Sequence, residues 1–474
     1  MTDGSKYSRL AKNSIIFAIA NFGSNILRFI IVPFYTYYLS TAEYGVVDTL
    51  TTTVSLIMPV MLLAIQEAVL RFTLDPNNNS VSVLKNSLLI LVGGSIVFLL
   101  GYFPFSLIGI FSGLWWLFYL LLVSNAFNNI LLNYTRGSGK SVVFMFGGII
   151  NTFIMLTCNV LLLAVFHKGL YGYIVSLVVG YSISSLFLII AMHPMSIAKQ
   201  GNVDFDLLKK MIKYSVPLIP TAAMWWLMNV ADRYSITFFL GVSFTGVYAI
   251  SHKVPTVISM FYAIFQQAWQ ISAVEEMNAG DRNRFYDNIY DLFFRGLFIV
   301  ASFIILFIKP LISLVVESSY VDSWRYAPIL LIGAVFSSMA GFLGVNYVVS
   351  QKTVGALTTS ALGAVINIIL NLVFIPLWGV QGAAIATLIG FYAVWIVRAT
   401  VSTGGVRIKQ NYAIIHLLLI IVIMQSAILI SGFKYQYLIQ IVLVLIVLFI
   451  NIRVISKSFI RVRDFTISRF LRRR

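Results

Sequence analysis

The segment Asn367–Gly390, NIILNLVFIPLWGVQGAAIATLIG, decides how the chain is read. Two apolar runs meet around Pro376, Trp378 and Gly379, and each extends far enough beyond the quoted segment to cross a hydrocarbon core, which takes about 20 mostly apolar residues. Its landmarks also occur earlier in the chain. Asn371 answers Asn159 at an offset of 212, and Gly379, Gly382 and Gly390 answer Gly169, Gly172 and Gly180 at an offset of 210. Lys352 answers Lys140 at 212, and further forward Lys213, Ser215, Leu240, Gly246 and Gln267 answer Lys12, Ser14, Leu39, Gly45 and Gln66 at 201. Matches at slowly drifting offset, at corresponding ends of corresponding spans, read as a duplication.

Working outward, the length rule predicts fourteen spans, at roughly 13–38, 45–70, 86–108, 111–134, 141–166, 169–193, 212–239, 242–270, 288–308, 326–349, 354–377, 380–402, 411–432 and 436–456. Spans 1–6 then match spans 7–12. Six is even, so the copies share one orientation and are related by an axis along the membrane normal. The expected architecture is an all-α polytopic membrane protein: two six-helix lobes in a pseudo-two-fold arrangement, plus two extra C-terminal helices. The expected domains are 1–200 for the N-terminal lobe, 201–405 for the C-terminal lobe, 406–456 for spans 13 and 14, and 457–474 for a basic cytoplasmic tail.

Composition agrees. Of 474 residues, 59% are hydrophobic and 10% charged, against about 45–50% and 25% in soluble domains. The surplus of 17 positive charges would suggest nucleic acid in a soluble protein. Here 25 of the 33 Lys and Arg fall in alternate loops and the tail, four fall on the other side and four within or at the edge of spans. That bias sets both termini on the cytoplasmic side and removes the case for nucleic acid. A single cysteine, Cys158, gives neither a disulfide nor a metal-ligand spacing, so no metal site is expected. The run Arg136-Gly137-Ser138-Gly139-Lys140-Ser141 ends like a phosphate-binding loop but has Tyr134 where the first glycine belongs, and it carries no nucleotide. No catalytic residue is expected: no loop on the outer side is long enough to fold, and no acid/base constellation converges.

Ionisable side chains inside a membrane are costly, by about 2.5–3.5 kcal/mol on insertion scales, and usually face a cavity or a partner. Span 1 places Asn21, Ser24, Asn25 and Arg28 on one face, and span 7 has Trp225, Asn229, Asp232 and Arg233. Span 2 carries Asp48 near one end and Glu67 near the other, and span 8 carries His252, Lys253, Gln266 and Gln267. The polarity is thus concentrated in the first two spans of each copy, which are expected to line a cavity between the lobes. Pro33, Pro59, Pro217, Pro220 and Pro255 fall in the same four spans and are expected to kink them.

The run from Asn367 to Thr387, with Pro376, Gly379, Gly382, Ala383 and Ala384, resembles the junction of spans 11 and 12 in the polysaccharide branch of the multidrug/oligosaccharidyl-lipid/polysaccharide exporter superfamily. Asp232-Arg233 followed by Leu240 and Gly246-Val247-Tyr248 is similar to the start of the second lobe in that branch. The resemblance implies a flippase of the bacterial cytoplasmic membrane, not an enzyme. Its substrate would be an undecaprenyl-pyrophosphate-linked oligosaccharide repeat unit, moved from inner to outer leaflet for capsule, exopolysaccharide or O-antigen assembly by alternating access. Membrane lipids, a polysaccharide polymerase and glycosyltransferases are the implied partners. A lipid II flippase and a cation-coupled multidrug exporter are the alternatives. On this reading Arg28, Asn25, Asn229, Arg233, Lys253 and Gln267 meet the pyrophosphate and sugars, because guanidinium suits phosphate oxygens and amides suit hydroxyls. No cofactor is expected. Coupling to a proton or sodium gradient would fall to Asp48, Glu67, Asp232 or His252.

Overall fold

The computed structural model describes residues 31–75, 77–101, 113–192, 202–275, 282–349, 353–401 and 408–452. Arg28 and Asn25, with the rest of span 1 before Ile31, and the tail 457–474 lie outside the described residues. Seventeen α-helices and no strand occur among the described residues. They are α1 (Val32–Tyr38), α2 (Thr41–Met61), α3 (Ile65–Leu74), α4 (Ser80–Leu100), α5 (Trp115–Gly137), α6 (Ser141–Asn159), α7 (Gly169–Ala191), α8 (Phe205–Ser215), α9 (Ile219–Leu240), α10 (Val242–Ser251) and α11 (Thr256–Glu275). They continue with α12 (Arg282–Val315), α13 (Ala327–Val349), α14 (Thr353–Trp378), α15 (Val380–Thr400), α16 (Tyr412–Ser431) and α17 (Gln436–Ile452).

Ten of these are long and apolar enough to cross a membrane, and the chain is a multi-pass membrane protein. The other predicted spans also coincide with helix. Span 1 is represented by α1, span 7 by α9, span 8 by α10 and α11, and span 14 by α17. Two spans are broken. Span 2 is interrupted at Leu62–Ala64, where Leu63 and Ala64 take positive φ directly after Pro59, and span 8 is interrupted between Ser251 and Thr256, at Pro255. Pro33 and Pro220 instead sit in the first turns of their helices, where a missing N–H is harmless, and Pro217 lies in a short 3-10 turn.

Cα packing divides the chain into two compact units. One comprises Met1–Ile250, Val316–Tyr320 and Asn371–Val380; the other comprises Ser251–Val315, Val321–Leu370 and Gln381–Arg474. The first is built around α2, α3, α5 and α7, with Leu50, Val54, Ile65, Ala68, Phe118, Leu122, Ile130, Ile174 and Leu188 in one apolar core. Polar pins cross it: Asn128 of α5 donates to the Ser184 and Ser185 hydroxyls of α7 at 2.9 and 3.1 Å, and Ser184 donates to the Gly147 carbonyl of α6 at 2.9 Å. In lipid, where apolar contact alone gives little drive for helix association, such bonds and small residues hold helices together.

In the second unit α13 is the most enclosed span, and Phe265, Trp269, Phe293 and Phe342 stack face to face beside Tyr290 and Trp395. The two C-terminal helices are attached by buried polar bonds. Gln440 of α17 donates to the Gln425 carbonyl of α16, Ser302 of α12 donates to Gln425 Oε1 at 2.9 Å, and Arg295 of α12 donates to Asn451 of α17 at 2.9 Å.

The duplication read in the sequence recurs in local geometry. A Cβ on Gly180 would lie 3.1 Å from the Asn151 carbonyl oxygen, and one on Gly390 would lie 3.3 Å from that of Gly363. Asn151 and Gly363 are separated by the same 212 positions that relate Asn159 to Asn371. The α6–α7 and α14–α15 hairpins therefore cross at equivalent points, and Gly169 and Gly379, just at the start of α7 and α15, both have positive φ.

Candidate functional site

The densest intramembrane charge gathers where α2, α9 and α10 meet in the first unit. α2 begins with a capping box: the Ser40 side chain accepts from the Glu43 amide and Glu43 accepts from the Ser40 amide at 2.9 Å. The first turns of α2 then run against α10 at a distance that only glycine permits. A Cβ on Gly45 would lie 2.2 Å from the Val242 carbonyl oxygen, and a Cβ on Gly246 would lie 1.9 Å from that of Thr41. Thr41 and Val242, like Gly45 and Gly246, are 201 positions apart. The contact is thus reciprocal, as at a two-fold interface, but formed within one chain by counterpart residues of the two copies.

Directly beneath this crossing, Asp48 of α2 is 9% exposed, Arg233 of α9 is 7% exposed and Asp232 is fully buried. Arg233 donates from Nε to Asp48 Oδ2 at 2.5 Å, and from Nη1 to Asp232 Oδ1 at 3.3 Å and to the Asn229 carbonyl at 2.6 Å. Asp232 Oδ1 also accepts from the Arg233 amide at 2.9 Å, and Oδ2 accepts from the Tyr248 hydroxyl of α10 at 2.5 Å. The Arg233 guanidinium lies 5.9 Å from the centre of the Tyr248 ring. Neighbouring bonds keep α2 and α9 in register: Trp226 Nε1 donates to the Thr52 carbonyl at 2.7 Å, and the Thr53 and Tyr234 hydroxyls bond each other. Thr245 and Thr237 share a hydroxyl bond at 2.7 Å between α10 and α9.

Within this group one arginine bridges two buried carboxylates, and a carboxylate is a group that a proton or a monovalent cation can neutralise.

Of the residues singled out in the sequence, the structure brings Asp48, Asp232 and Arg233 together. Asn229 belongs to the same helix face, with its side chain exposed and donating to the Trp225 carbonyl at 2.7 Å. Glu67 is exposed on α3, one turn from Arg71. His252 and Lys253 lie half-buried in the break between α10 and α11, in the second unit. Gln267 lies on α11, with its side chain outside the described ones. Sequence reasoning did not single out Tyr248 as a ligand of Asp232, nor Gly45 and Gly246 as a crossing. The signal for both was present in the offset of 201 and in the Gly246-Val247-Tyr248 run.

No protein-family profile matches the chain, and no curated protein matches it in sequence. Solved structures do. The lipid II flippase MurJ in an inward closed conformation superposes with a TM-score of 0.67 at 16% identity, over 94% of this chain and 100% of that one. The chain shares the fold of this flippase. A multidrug resistance transporter in an inward-facing conformation gives a TM-score of 0.64 at 13% identity, over 88% of this chain and 99% of that one. An outward-facing conformation of such a transporter gives 0.62 at 13% identity, over 85% and 95%.

Proposed function

We propose that the chain is a flippase that carries an undecaprenyl-pyrophosphate-linked oligosaccharide repeat unit from the inner to the outer leaflet of a bacterial cytoplasmic membrane, feeding capsule, exopolysaccharide or O-antigen assembly. The carrying observation is the reciprocal Gly45–Gly246 crossing over the Asp48–Arg233–Asp232 group. Counterparts from the two copies meet there without side chains between their backbones, over an arginine held by two carboxylates that can take up a proton or a cation. Parting this crossing opens one end and closing it seals that end, which is the movement alternating access requires. The copies 1–200 and 201–405 are the moving bodies, with both termini in the cytoplasm and 457–474 as a basic tail.

Asp48 and Asp232 are the coupling residues on this reading, in preference to exposed Glu67 and to His252. Proton or Na+ binding weakens the hold on Arg233 and frees its donors for a phosphate oxygen. Arg28, Asn25, Asn229, Lys253 and Gln267 complete the head-group site, and a polymerase and glycosyltransferases are its partners in the pathway. The likeness to MurJ supports a lipid-linked substrate, since it extends over 94% of the chain where the multidrug transporters cover 85–88%. The same likeness favours one second reading, a lipid II flippase.

The test is a chromosomal deletion complemented by wild-type or Asp48→Asn protein. The deletion strain is expected to lose surface polymer while growing with a normal wall, and the Asp48→Asn strain to remain without polymer at wild-type protein level. Arrest of growth with accumulated lipid II would assign the second reading. Normal polymer in the Asp48→Asn strain would remove the coupling role.

A further inference from the structure

The helix between the two copies is fixed to the first unit in a way that leaves a cationic and apolar surface unused by the transport reading. α8 buries Leu207, Leu208, Met211 and Ser215 and packs on α3 and α4. Its start is pinned by buried Asn86 of α4, whose amide donates to the Asp204 carbonyl at 2.8 Å and whose oxygen accepts from the Asp204 amide at 3.2 Å. Its end is pinned by Ser215, which donates to the Leu63 carbonyl at 2.7 Å. α8 therefore runs beside α3, from the first turns of α4 to the α2–α3 break, at the end of the bundle where the α5–α6 turn passes close enough that a Cβ on Gly137 would lie 2.8 Å from Thr73 Cβ.

This end carries Arg71, Lys85, Arg136, Lys140, Lys209, Lys210 and Lys213, all exposed except half-buried Lys85. The acids on the same elements are Glu67, Asp75, Asp204 and Asp206, so the balance is positive. At the flank of α8 is a cleft of about 380 Å³ lined by Arg71, Phe72, Leu74 and Asp75. The Arg71 guanidinium stands 5.6 Å from the centre of the Tyr214 ring, and the Phe72 ring stands 5.9 Å from it. Lys210 is one turn before Tyr214 and shares its flank. Beside these cations Leu74 is 61% exposed.

An exposed leucine beside a guanidinium offers contacts to both parts of an amphiphile with an anionic head and an acyl chain. α3 and α5 end, and α4 and α6 begin, close to the cleft, which sets it at headgroup depth. We propose that this cleft is a binding site for an anionic phospholipid of the phosphatidylglycerol type. Arg71 holds the phosphate, Lys210 adds its charge from the neighbouring flank of α8, Phe72 forms the wall with Tyr214 stacked behind it, and the acyl chain leaves along Leu74. Asp75 disfavours a second anionic lipid and leaves room for the hydroxyls of a glycerol head. The bound lipid ties the linker between the two copies to the membrane surface. The site is separate from the Asp48–Arg233–Asp232 group, so its failure and that of the transport reading are distinguishable.

The test is native mass spectrometry of the full chain released from detergent with phosphatidylglycerol or phosphatidylcholine, read as lipid adducts per protein. Wild type is expected to keep phosphatidylglycerol adducts in preference to phosphatidylcholine. Arg71→Ala/Lys210→Ala is expected to lose them about thirtyfold, as two charge-assisted contacts of about 1 kcal/mol each would give. Arg71→Lys/Lys210→Arg keeps the charges and is expected to retain adducts, which separates a lipid site from loss of fold. Equal retention of both lipids by wild type would overturn the proposal, as would equal phosphatidylglycerol retention by the alanine variant. Displacement of the lipid by undecaprenyl pyrophosphate at equimolar concentration would also overturn it, assigning the cleft to the transported class instead. Exposed Lys210→Gln alone, expected to lower the adducts about threefold, serves if the double variant does not accumulate.

Discussion

Two of the three buried arginines among the described residues, Arg233 in one compact unit and Arg398 in the other, are held in opposite ways. Arg233 is 7% exposed and faces the carboxylates of Asp48 and Asp232. Arg398, 5% exposed in the last turn of α15, donates to the Thr359 and Ser360 hydroxyls at 2.9 and 3.0 Å and to the carbonyls of Ala340 and Ala356 at 2.8 and 3.3 Å. Carbonyls and hydroxyls are neutral and do not titrate in the physiological range, so a change of protonation does not release the Arg398 contacts, which fasten α13, α14 and α15. Carboxylates are charged and titrate, so the Arg233 contacts can be released by a proton or a cation. Burial alone does not mark a functional arginine; the chemistry of its acceptors does.

The comparison can be broken by substitution. Arg233→Ala leaves two buried carboxylates without their partner and is expected to destabilise by about 3–5 kcal/mol, the range for removing one member of a buried ion pair. Thermal unfolding in detergent checks this, with surface polymer expected to be absent even where protein is present. Adding Asp48→Asn to Arg233→Gln should recover most of the stability without recovering polymer; recovery of both would make the group a structural pin like that of Arg398.

Next in size are Gly45→Val and Gly246→Val. Each drives a side chain into the opposing backbone, and because the contact is reciprocal the two should be alike. We expect loss of disulfide cross-linking between Thr41→Cys and Val242→Cys in either background, and polymer below about one tenth of wild type, corresponding to a shift of at least 1.4 kcal/mol in the closed state. A large effect at one glycine and none at the other would break the two-fold reading.

The smallest effect is expected at Arg398→Gln, which removes hydrogen bonds to neutral groups and leaves no stranded charge. It should cost about 1–3 kcal/mol in unfolding, with polymer per copy of membrane-inserted protein unchanged. Loss of polymer at wild-type stability would give Arg398 a transport role.

Much of this was legible in the sequence, and what was not has a common cause. Asp48, Asp232 and Arg233 stood out because charges are scarce inside spans, yet the sequence reading placed Arg233 among groups for the substrate and the two acids among carriers of an ion. Helical spacing shows which residues share a face, not what lies opposite that face. Arg398 was counted as a loop cation setting topology, because its place at the end of an apolar run looks the same whether the side chain turns outward to solvent or back among α13, α14 and α15. The prolines marked four spans for kinks and only the two at Pro59 and Pro255 are interrupted, while the left-handed turn at Leu63 and Ala64 and the pinning of α8 by Asn86 and Ser215 depend on neighbours distant in sequence.

By itself the sequence determined the class of molecule, the order of its spans and the duplication, because each is set by local composition or by offsets along one chain. The tertiary structure decided which charges neutralise one another, where two backbones touch and which cations remain exposed. Those depend on distances of a few ångströms between helices, and burial turns such distances into interaction energies that no local pattern encodes.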